Sequence, residues 1–314
     1  MNRMFQTVAG LTLLASGILA LGSMNAQAAQ KTFDTPEAAV SALIAAVKSG
    51  NADDMAAVLG EDMRDQFRTG DPHLSDLDRA EFLKAAQAAT RIENDTVPGR
   101  MIVYFGANEW PFPAPLVKEG SAWRFDGKAG RQEILDRRIG HNEMHAVETC
   151  LGYVEAQVDY ARTDHDGSGV LEFAQKLISS PGRHDGLYWP GDAAGPSPFG
   201  PSLNESDRMV PGPDAGVTVN RVRQHFGYRY RVLTAQGSHA VGGARNFLVD
   251  GHLLGGFGLV AWPREYGVTG VQTFVVNQLG IVYAKDLGAD TATLAPAITA
   301  FDPDASWKKL DSAR

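Results

Sequence analysis

The sequence predicts an α+β protein, because helical and strand-like patterns occupy separate stretches instead of alternating. Three helical segments precede a group of short strands in the first half of the chain. One long apolar periodicity follows, and the last third has the β-branched and aromatic content of an antiparallel meander. We therefore expect N-terminal helices over a curved antiparallel sheet, and then a long helix packed on a C-terminal antiparallel sheet.

The chain opens with a pattern that is typical of a secretory signal peptide over residues 1–28. Arg3 supplies a positive charge, residues 8–21 form an apolar run, and Ala26-Gln27-Ala28 is an A-x-A cleavage signal. The run is short for a membrane span, so we expect cleavage after Ala28, with an uncleaved anchor as the alternative. The mature protein is then expected in the bacterial periplasm or outside the cell, with no membrane span.

Composition narrows the classes of partner. The chain has 29 basic and 37 acidic residues and a net charge of −8, which becomes −9 when Arg3 leaves with the signal peptide. This mild acidity argues against nonspecific binding to nucleic acid or anionic membranes. The single cysteine, Cys150, cannot form an internal disulfide, and its place in an apolar helical stripe favours a buried structural role over a reactive one.

A front domain is predicted over residues 32–138. Its first helix has Thr35 as N-cap and Gly50 at its end, a second follows in NADDMAAVLG, and a third, SDLDRAEFLKAAQAATRI, starts at Ser75. The strand RMIVYFG comes next, and then a hairpin, PAPLVKEGSAWRFDG, which turns at residues 119–121.

A back domain is predicted over residues 141–290. It begins with the strongest helical pattern of the chain, residues 141–162, followed by the polar stretch DHDGSG and a short helix with an apolar side. Residues 181–216 hold seven prolines and seven glycines, which is typical of a loop. The strand GYRYRVLTAQG and two hairpins complete the domain, the first turning at Asp250-Gly251, and residues 291–314 are taken as a C-terminal tail.

Several phrases carry resemblances to known families. TPEAAVSALIAAVKSGNADDMAAVLGEDM resembles the opening helix pair of the nuclear-transport-factor-2-like (NTF2-like) cone, and TFVVNQLGIVY resembles the final hairpin of type IV pilins and pseudopilins. The phrases WRFDGKAGRQEILDRRIGHNE, SSPGRHDGLYWP, GYRYRVLTAQG and VAWPREYGVTGVQTFVVNQLGIVYAKDLG resemble, in this order, the exported bacterial family catalogued as domain of unknown function 2950. That resemblance implies an exported two-part protein and no particular activity.

The stretch that starts at DHDGSG has the spacing of a calcium loop of the EF-hand type. Such a loop takes oxygen ligands from positions 1, 3, 5, 7, 9 and 12 and needs glycine at position 6, where Gly169 stands. The alternative is a plain polar turn in which aspartate caps and glycine reverses the chain. The glutamate usual at position 12 is replaced here, so any site is expected to be weak. The predicted ligands are Asp164, Asp166, Ser168, Val170 through its carbonyl, Glu172 and Gln175.

Two further clusters of polar residues are candidate binding sites. His141 and His145 lie one helical turn apart with Glu148 close on the same face, which would suit a zinc trio, although the charge pattern favours a solvated helix start. Arg264-Glu265-Tyr266 follows a strand and would suit a ligand rim, although a water-facing turn explains it better. Ser238-His239 lies in a glycine-rich turn without an evident partner, and no G-x-S-x-G elbow is present.

In the front domain, aromatic residues around one turn would line a pocket or close the core, and the second interpretation is favoured. They are Tyr104, Phe105, Trp110 and Phe112. An enzyme working there would need a buried acid or base, for which the candidates are Asp65, Glu81, Glu93 and Glu109.

These observations favour an exported non-catalytic protein that binds or scaffolds in the bacterial cell envelope. Its expected partner is an envelope protein or surface polymer, and its oligomeric state stays open. The alternatives are an enzyme, such as a hydrolase, with a pocket in the front domain, and a structural component stiffened by calcium. No cofactor is required by the sequence, and calcium is the ion that it suggests.

Overall fold

The chain divides into two compact units, Met1–Gly127 and Lys128–Arg314. The computed structural model describes residues 30–67, 72–165, 167–190, 195–200, 223–225 and 227–310, so the predicted signal peptide lies outside the described residues. None of the helices in these ranges has the length and apolar character that a membrane crossing requires. The α+β class predicted from the sequence is confirmed.

The front unit opens with four helical segments: α1 (Pro36–Ser49), α2 (Ala52–Leu59), a 3₁₀ segment (Glu61–Phe67) and α3 (Pro72–Ala88). The predicted starts of α1 and α2 are confirmed, whereas α3 begins at Pro72 and not at the predicted Ser75. The Thr35 side chain accepts from the Ala38 amide at 3.1 Å, and the Asn51 side chain accepts from the Asp53 amide at 2.7 Å. These bonds satisfy amides that have no partner inside their own helices, which is why the chain enters α1 and α2 at these residues.

The front sheet follows with β1 (Thr90–Asn94), β2 (Arg100–Phe105), β3 (Trp110–Pro111), β4 (Leu116–Glu119) and β5 (Ala122–Phe125). Its order is β1-β2-β4-β5, with β3 on β2. The predicted β4–β5 hairpin is confirmed. The predicted extension of the third helix to Ile92 is wrong, because Thr90 and Ile92 pair with Phe105 and Val103 of β2 and thereby join the sheet.

The back unit is built on one long helix, α4 (Gly127–Tyr160). The helical pattern of residues 141–162 predicted a start at residue 141, but the helix begins 14 residues earlier. Side-chain pairs one turn apart support the additional turns: Arg137 donates to Glu133 at 2.8 Å, and Gln132 donates to Asp136 at 2.8 Å. The predicted boundary between residues 138 and 141 therefore falls inside a continuous helix.

The back sheet consists of β6 (Arg223–His225), β7 (Tyr228–Leu233), β12 (Gly258–Pro263), β13 (Gln272–Asn277), β14 (Tyr283–Asp286) and β15 (Lys308–Lys309). Its order is β15-β14-β13-β12-β7-β6, with all neighbours antiparallel. Along the chain, β7 and β12 are separated by two small antiparallel ladders. In the first, β8 (Ala235–Gln236) pairs with β9 (Arg245–Asn246), and in the second, β10 (Leu248–Val249) pairs with β11 (His252–Leu253). The predicted hairpins at Asp250-Gly251 and between β13 and β14 are confirmed.

The back sheet is buried on both faces. One face packs with α4 and the coil after it, where Cys150, Tyr153 and Phe257 are fully or almost fully buried. The other face packs with the last part of the described chain, where Trp262 and Phe301 belong to a second cluster. The sequence assigned residues 291–314 to a tail, but their described part covers the sheet with α5 (Thr291–Leu294) and supplies β15.

Burial also settles the character of Cys150. The thiol is fully buried, and loss of hydration raises its pKa to about 12. A thiol that is inaccessible and protonated is chemically inert, as expected for a structural cysteine.

A buried polar network joins α4 to the sheet and to the coil that follows the helix. The Gln157 side chain donates to the Ala174 carbonyl and accepts from the Ala174 amide, both at 2.8 Å. The side-chain nitrogen of Gln157, Nε2, also donates to the Tyr153 hydroxyl at 2.9 Å, and that hydroxyl donates to the Gly258 carbonyl at 3.0 Å. Gln157 and Tyr153 are both fully buried, so these bonds replace hydration that the core cannot supply.

We expect Gln157→Leu to lower the free energy of unfolding by roughly 2 to 5 kcal/mol, because it leaves the buried Ala174 amide and carbonyl without partners. Urea unfolding followed by circular dichroism measures this, with Glu155→Leu on the exposed side of α4 as the control. Equal stability of the Gln157→Leu and control variants would show that the network does not hold the coil.

Candidate functional site

The first half of the predicted calcium loop forms a tight turn around Asp164. Its carboxylate accepts from the Gly167 amide through Oδ1 and from the Gly169 amide through Oδ2, both at 2.8 Å. The Ser168 hydroxyl accepts from the Val170 amide at 3.2 Å. Asp166 lies outside the described residues. The turn therefore has the hydrogen bonds of an aspartate-capped reversal, which both the calcium interpretation and the plain-turn interpretation require.

The second half of the predicted loop leads away from this turn. Glu172 accepts from the Leu253 amide at 2.9 Å and contacts His252 Nδ1 at 3.1 Å, while Gln175 donates to the Gly251 carbonyl at 2.7 Å. The short helix predicted after the loop is absent from residues 170–178, because their backbone groups bond to other segments. Calcium binding at this loop stays a prediction.

Beside the turn, two imidazoles and two aromatic rings form a cluster that we call the 160–189 ring cluster: Tyr160, His165, His184 and Trp189. His165 stacks on Tyr160 with ring centroids 4.1 Å apart, and Trp189 lies 4.4 Å from His184 and 5.6 Å from His165. The Tyr160 hydroxyl donates to the His184 carbonyl at 2.8 Å. Burial, followed by the neighbouring His184, lowers the pKa of His165.

No pattern in the sequence predicts this cluster. Four apolar residues of the proline- and glycine-rich segment are expected from the sequence to hold part of it against the protein. Leu187, Trp189 and Phe199 are buried, and Tyr188 is half-buried. His165 and His184 stand 19 positions apart in sequence, and neither follows a recognisable ligand spacing. The approach of two imidazoles to one buried tryptophan is therefore a product of the tertiary structure.

The segment that carries His184 is a loop held by internal hydrogen bonds, here called the 179–188 loop. Backbone bonds close it at its base, since the Ser179 amide donates to the Tyr188 carbonyl at 2.8 Å and the Tyr188 amide to the Leu177 carbonyl at 3.0 Å. Asp185 organises its interior by accepting from the Ser180 amide at 2.7 Å and from Lys176 at 2.5 Å.

The serine and lysine inside the loop have the composition of a hydrolytic pair, since Lys176 Nζ lies 3.0 Å from Ser180 Oγ. A lysine acting as base needs a lone pair aimed at the hydroxyl. Here the ammonium donates to both Ser180 and Asp185, and the Ser180 hydroxyl donates to Asp185 at 3.0 Å. All three groups serve the folding of the loop, and the arrangement does not activate the serine.

The histidine of Ser238-His239 has a partner that the sequence analysis did not find. Asp302 accepts from the His239 amide at 2.8 Å and contacts its Nδ1 at 3.0 Å, and this carboxylate raises the pKa of His239. Both bonds attach the turn to the C-terminal segment that covers the sheet.

The two other clusters weighed from the sequence are resolved differently. Arg264 and Glu265 are exposed, as expected of a turn, and the Tyr266 hydroxyl donates to Asp286 at 3.2 Å. On α4, His145 Nε2 faces His141 Nε2 at 3.0 Å, whereas Glu148 contacts Nδ1 of His145 at 2.9 Å. The three side chains do not converge on one point, and the described residues contain no group of three or more metal-binding side chains.

In the front unit, two of the four predicted aromatic residues, Phe105 and Phe112, are buried in the core, and Tyr104 is half-buried beneath the guanidinium of Arg91. Phe105, Phe112 and Phe125 are buried and meet edge to face, with centroids 5.7 to 5.9 Å apart along the row. Trp110 is 46% exposed at the end of this row. The four candidate acids lie on the surface: Asp65, Glu81, Glu93 and Glu109. Two of them, Glu93 and Glu109, form ion pairs with Arg91.

Comparison with known proteins identifies the family. The chain belongs to the family described as "Protein of unknown function (DUF2950)", whose model matches residues 30–310. No curated protein and no solved structure matches the chain, so the resemblances to the NTF2-like cone and to pilins are not confirmed.

We expect calcium at 10 mM to raise the stability of the mature protein by about 1.4 to 2.7 kcal/mol if the Kd lies between 10⁻³ and 10⁻⁴ M, the range of weak extracellular sites. Titration calorimetry and thermal unfolding measure this. Asp164→Asn keeps an acceptor for the turn but removes charge, so it separates ion binding from capping. Absence of heat and of any shift at 10 mM calcium would establish the plain turn.

We expect acid to destabilise the ring cluster through His165. Its pKa is lowered on folding, so its contribution to stability is present above the unfolded pKa, about 6.5, and falls as the pH drops through the folded value. His165→Gln should therefore lose less thermal stability between pH 7.5 and 5.5 than the parent protein.

His239 supplies a control of opposite sign. Its raised pKa gives a contribution that is present below pH 6.5 or so and is lost as the pH rises through the folded value. His239→Gln should therefore show a larger loss on acidification than the parent protein. If the His165→Gln variant matches the parent at both pH values, the cluster does not respond to acid through His165.

Proposed function

We propose that the protein is an exported, non-catalytic binding protein of the bacterial cell envelope, and that the 179–188 loop is its recognition surface. The proposal of export is supported by the leader, with its charge at Arg3, its apolar run and its Ala26-Gln27-Ala28 cleavage signal. Periplasmic or extracellular placement follows from that leader and suits a chain with one buried cysteine.

The observation that carries the proposal is the network of internal hydrogen bonds and close backbone packing in the 179–188 loop. Gly186 lies against the backbone of Ile178 and Ser179, where a Cβ would come within 2.7 Å of backbone atoms. Pro181-Gly182 forms the tip, and the φ of 71° at Gly182 is one that a turn with proline before glycine requires. A segment so rich in glycine would lose much entropy on binding if it were free, and its internal bonds remove most of that cost in advance.

The loop also presents suitable chemistry. Pro181, Gly182 and Arg183 are exposed at the tip, while His184 is half-buried against Trp189. The acidic residue of the loop, Asp185, is turned inward and paired with Lys176, so the guanidinium of Arg183 is the charge at the tip. A planar cationic group beside an imidazole suits an acidic partner, for which guanidinium offers paired donors.

The partner class is an envelope protein or a surface polymer, and an acidic polymer fits this chemistry best. A polymer with repeated carboxylate or phosphate groups would give Arg183 and His184 several equivalent places to bind. The mild net negative charge of the whole chain would keep the interaction confined to the loop.

The two alternatives differ in their support. An enzyme in the front unit would need a buried acid or base, but Asp65, Glu81, Glu93 and Glu109 are exposed. A calcium-stiffened component has the Asp164 turn in its favour, and calcium there would stiffen the chain just beside the ring cluster.

We expect the mature protein to co-sediment with isolated bacterial envelopes and Arg183→Ala to weaken that binding about fivefold, the effect of roughly 1 kcal/mol at an interface. Arg138→Ala is the matched control, because it removes the same charge from α4 about 33 Å along the helix from Tyr160. Loss of binding in high salt would support an acidic partner.

Protease treatment of the envelopes distinguishes the two partner classes, since only binding to a protein would be lost. Equal sedimentation of the Arg183→Ala and Arg138→Ala variants would exclude the loop as the recognition surface. Failure of the parent protein to sediment at all would overturn the proposed function.

A further inference from the structure

The histidine pair on α4 has a geometry that the proposed function does not use. His141 and His145 are one turn apart, and their Nε2 atoms lie 3.0 Å from each other. The rings are nearly perpendicular, with an interplanar angle of 86° and centroids 4.2 Å apart. The two Nε2 atoms therefore lie next to each other on one side of the helix.

Glu148 determines which nitrogen of His145 carries the proton. Its Oε2 lies 2.9 Å from Nδ1 of His145, so this nitrogen carries the proton and donates to the carboxylate. Nε2 of His145 is then the acceptor, and without a metal His141 donates to it through its own Nε2–H. Metal-binding histidines commonly donate the N–H of the nitrogen that does not bind the metal to a carboxylate, which fixes the ring orientation and raises its basicity. The Nδ1 of His145 has such a partner in Glu148.

We infer that His141 and His145 form a surface site for a divalent transition metal, with copper(II) as the preferred ion. Both Nε2 atoms would bind the ion, and His141 would carry its proton on Nδ1 instead of Nε2, so no net proton is released by this pair. Glu148 would act as a positioning residue and not as a ligand. Water would fill the remaining positions, because the described residues offer no third metal-binding side chain there.

The separation of the two nitrogens selects among metals. With metal–nitrogen bonds of about 2.0–2.1 Å, a 3.0 Å separation corresponds to an angle of about 91–97° at the metal. This angle is close to that of neighbouring ligands in tetragonal copper(II) or nickel(II) sites and is narrower than the tetrahedral angle of structural zinc. The order of affinity expected is therefore copper(II), then nickel(II), with zinc(II) weakest.

Exposure allows the site to be reached. The side chain of His145 is 21% exposed and that of Glu148 is 62% exposed, and His141 lies on the surface. The backbone is already fixed, because the neighbouring Asn142 donates to the Thr269 carbonyl and Glu143 accepts from the amides of Val271 and Gln272, each at 2.9 Å. Metal binding thus requires little rearrangement of the helix.

The test is titration of the mature protein with copper(II) in the presence of glycine as a weak competitor, with electron paramagnetic resonance as the second readout. We expect one copper per chain at this site, with a signal from two imidazole nitrogens. His141→Ala and His145→Ala should each abolish that signal, whereas His239→Ala should retain it. A second copper bound at the amino terminus would remain in all variants.

Glu148→Ala tests the positioning role. Removing the partner of a ligand histidine weakens metal binding by about 10-fold to 100-fold, and the exposure of Glu148 places the expectation near 10-fold. Glu155→Ala, which removes a carboxylate two turns further along α4, should leave the affinity unchanged. The inference is overturned if the two-imidazole signal persists in His141→Ala or His145→Ala, or if the parent protein shows no such signal.

Discussion

The back unit depends on a buried glutamine that bonds to the backbone of another segment. Gln157 offers both a donor and an acceptor to Ala174, and Tyr153 continues the chain of bonds to Gly258 of the sheet. Burying an amide side chain in an apolar core costs free energy unless all of its hydrogen bonds are made. One rotation of α4 about its axis is therefore lower in free energy than rotations that would break these bonds. A shift of the helix by one residue would turn Gln157 by about 100° and leave several buried groups without partners.

This rotation of α4 places the groups at its end. Tyr160 follows Gln157 by three positions, stacks on His165 and bonds to the carbonyl of His184. The coil held by Ala174 continues into Lys176, which forms the ion pair with Asp185 inside the 179–188 loop. The positions of the ring cluster, the Asp164 turn and the 179–188 loop therefore all depend on the rotation of α4 that Gln157 fixes. Lys176 and Ser180 have the composition of a hydrolytic pair, but both side chains bond to Asp185 and hold the 179–188 loop together.

Several elements were predictable because their causes are local. Thr35, Asn51 and the two hairpin turns are each explained by chemistry within a few residues, and they are found where the sequence placed them. The errors lie where distant partners decide. Thr90–Asn94 leaves the third helix because β2 is available to pair with it. Residues 170–178 are not helical because Gln157 and the segments at 187–188 and 251–253 take their backbone and side-chain bonds.

The sequence by itself determined the α+β class, the family phrases, the capped helices, the polar turn at Asp164 and the burial of Cys150, since these follow from local spacing and hydrophobic pattern. Only the tertiary structure decided the length of α4, the covering of the back sheet by its C-terminal segment, and the meeting of His165 and His184 around Trp189. The tertiary structure also decided that the Glu148 carboxylate contacts Nδ1 of His145. The physical reason is that a hydrogen bond or ring contact between distant segments depends on packing geometry, which no short stretch of sequence contains.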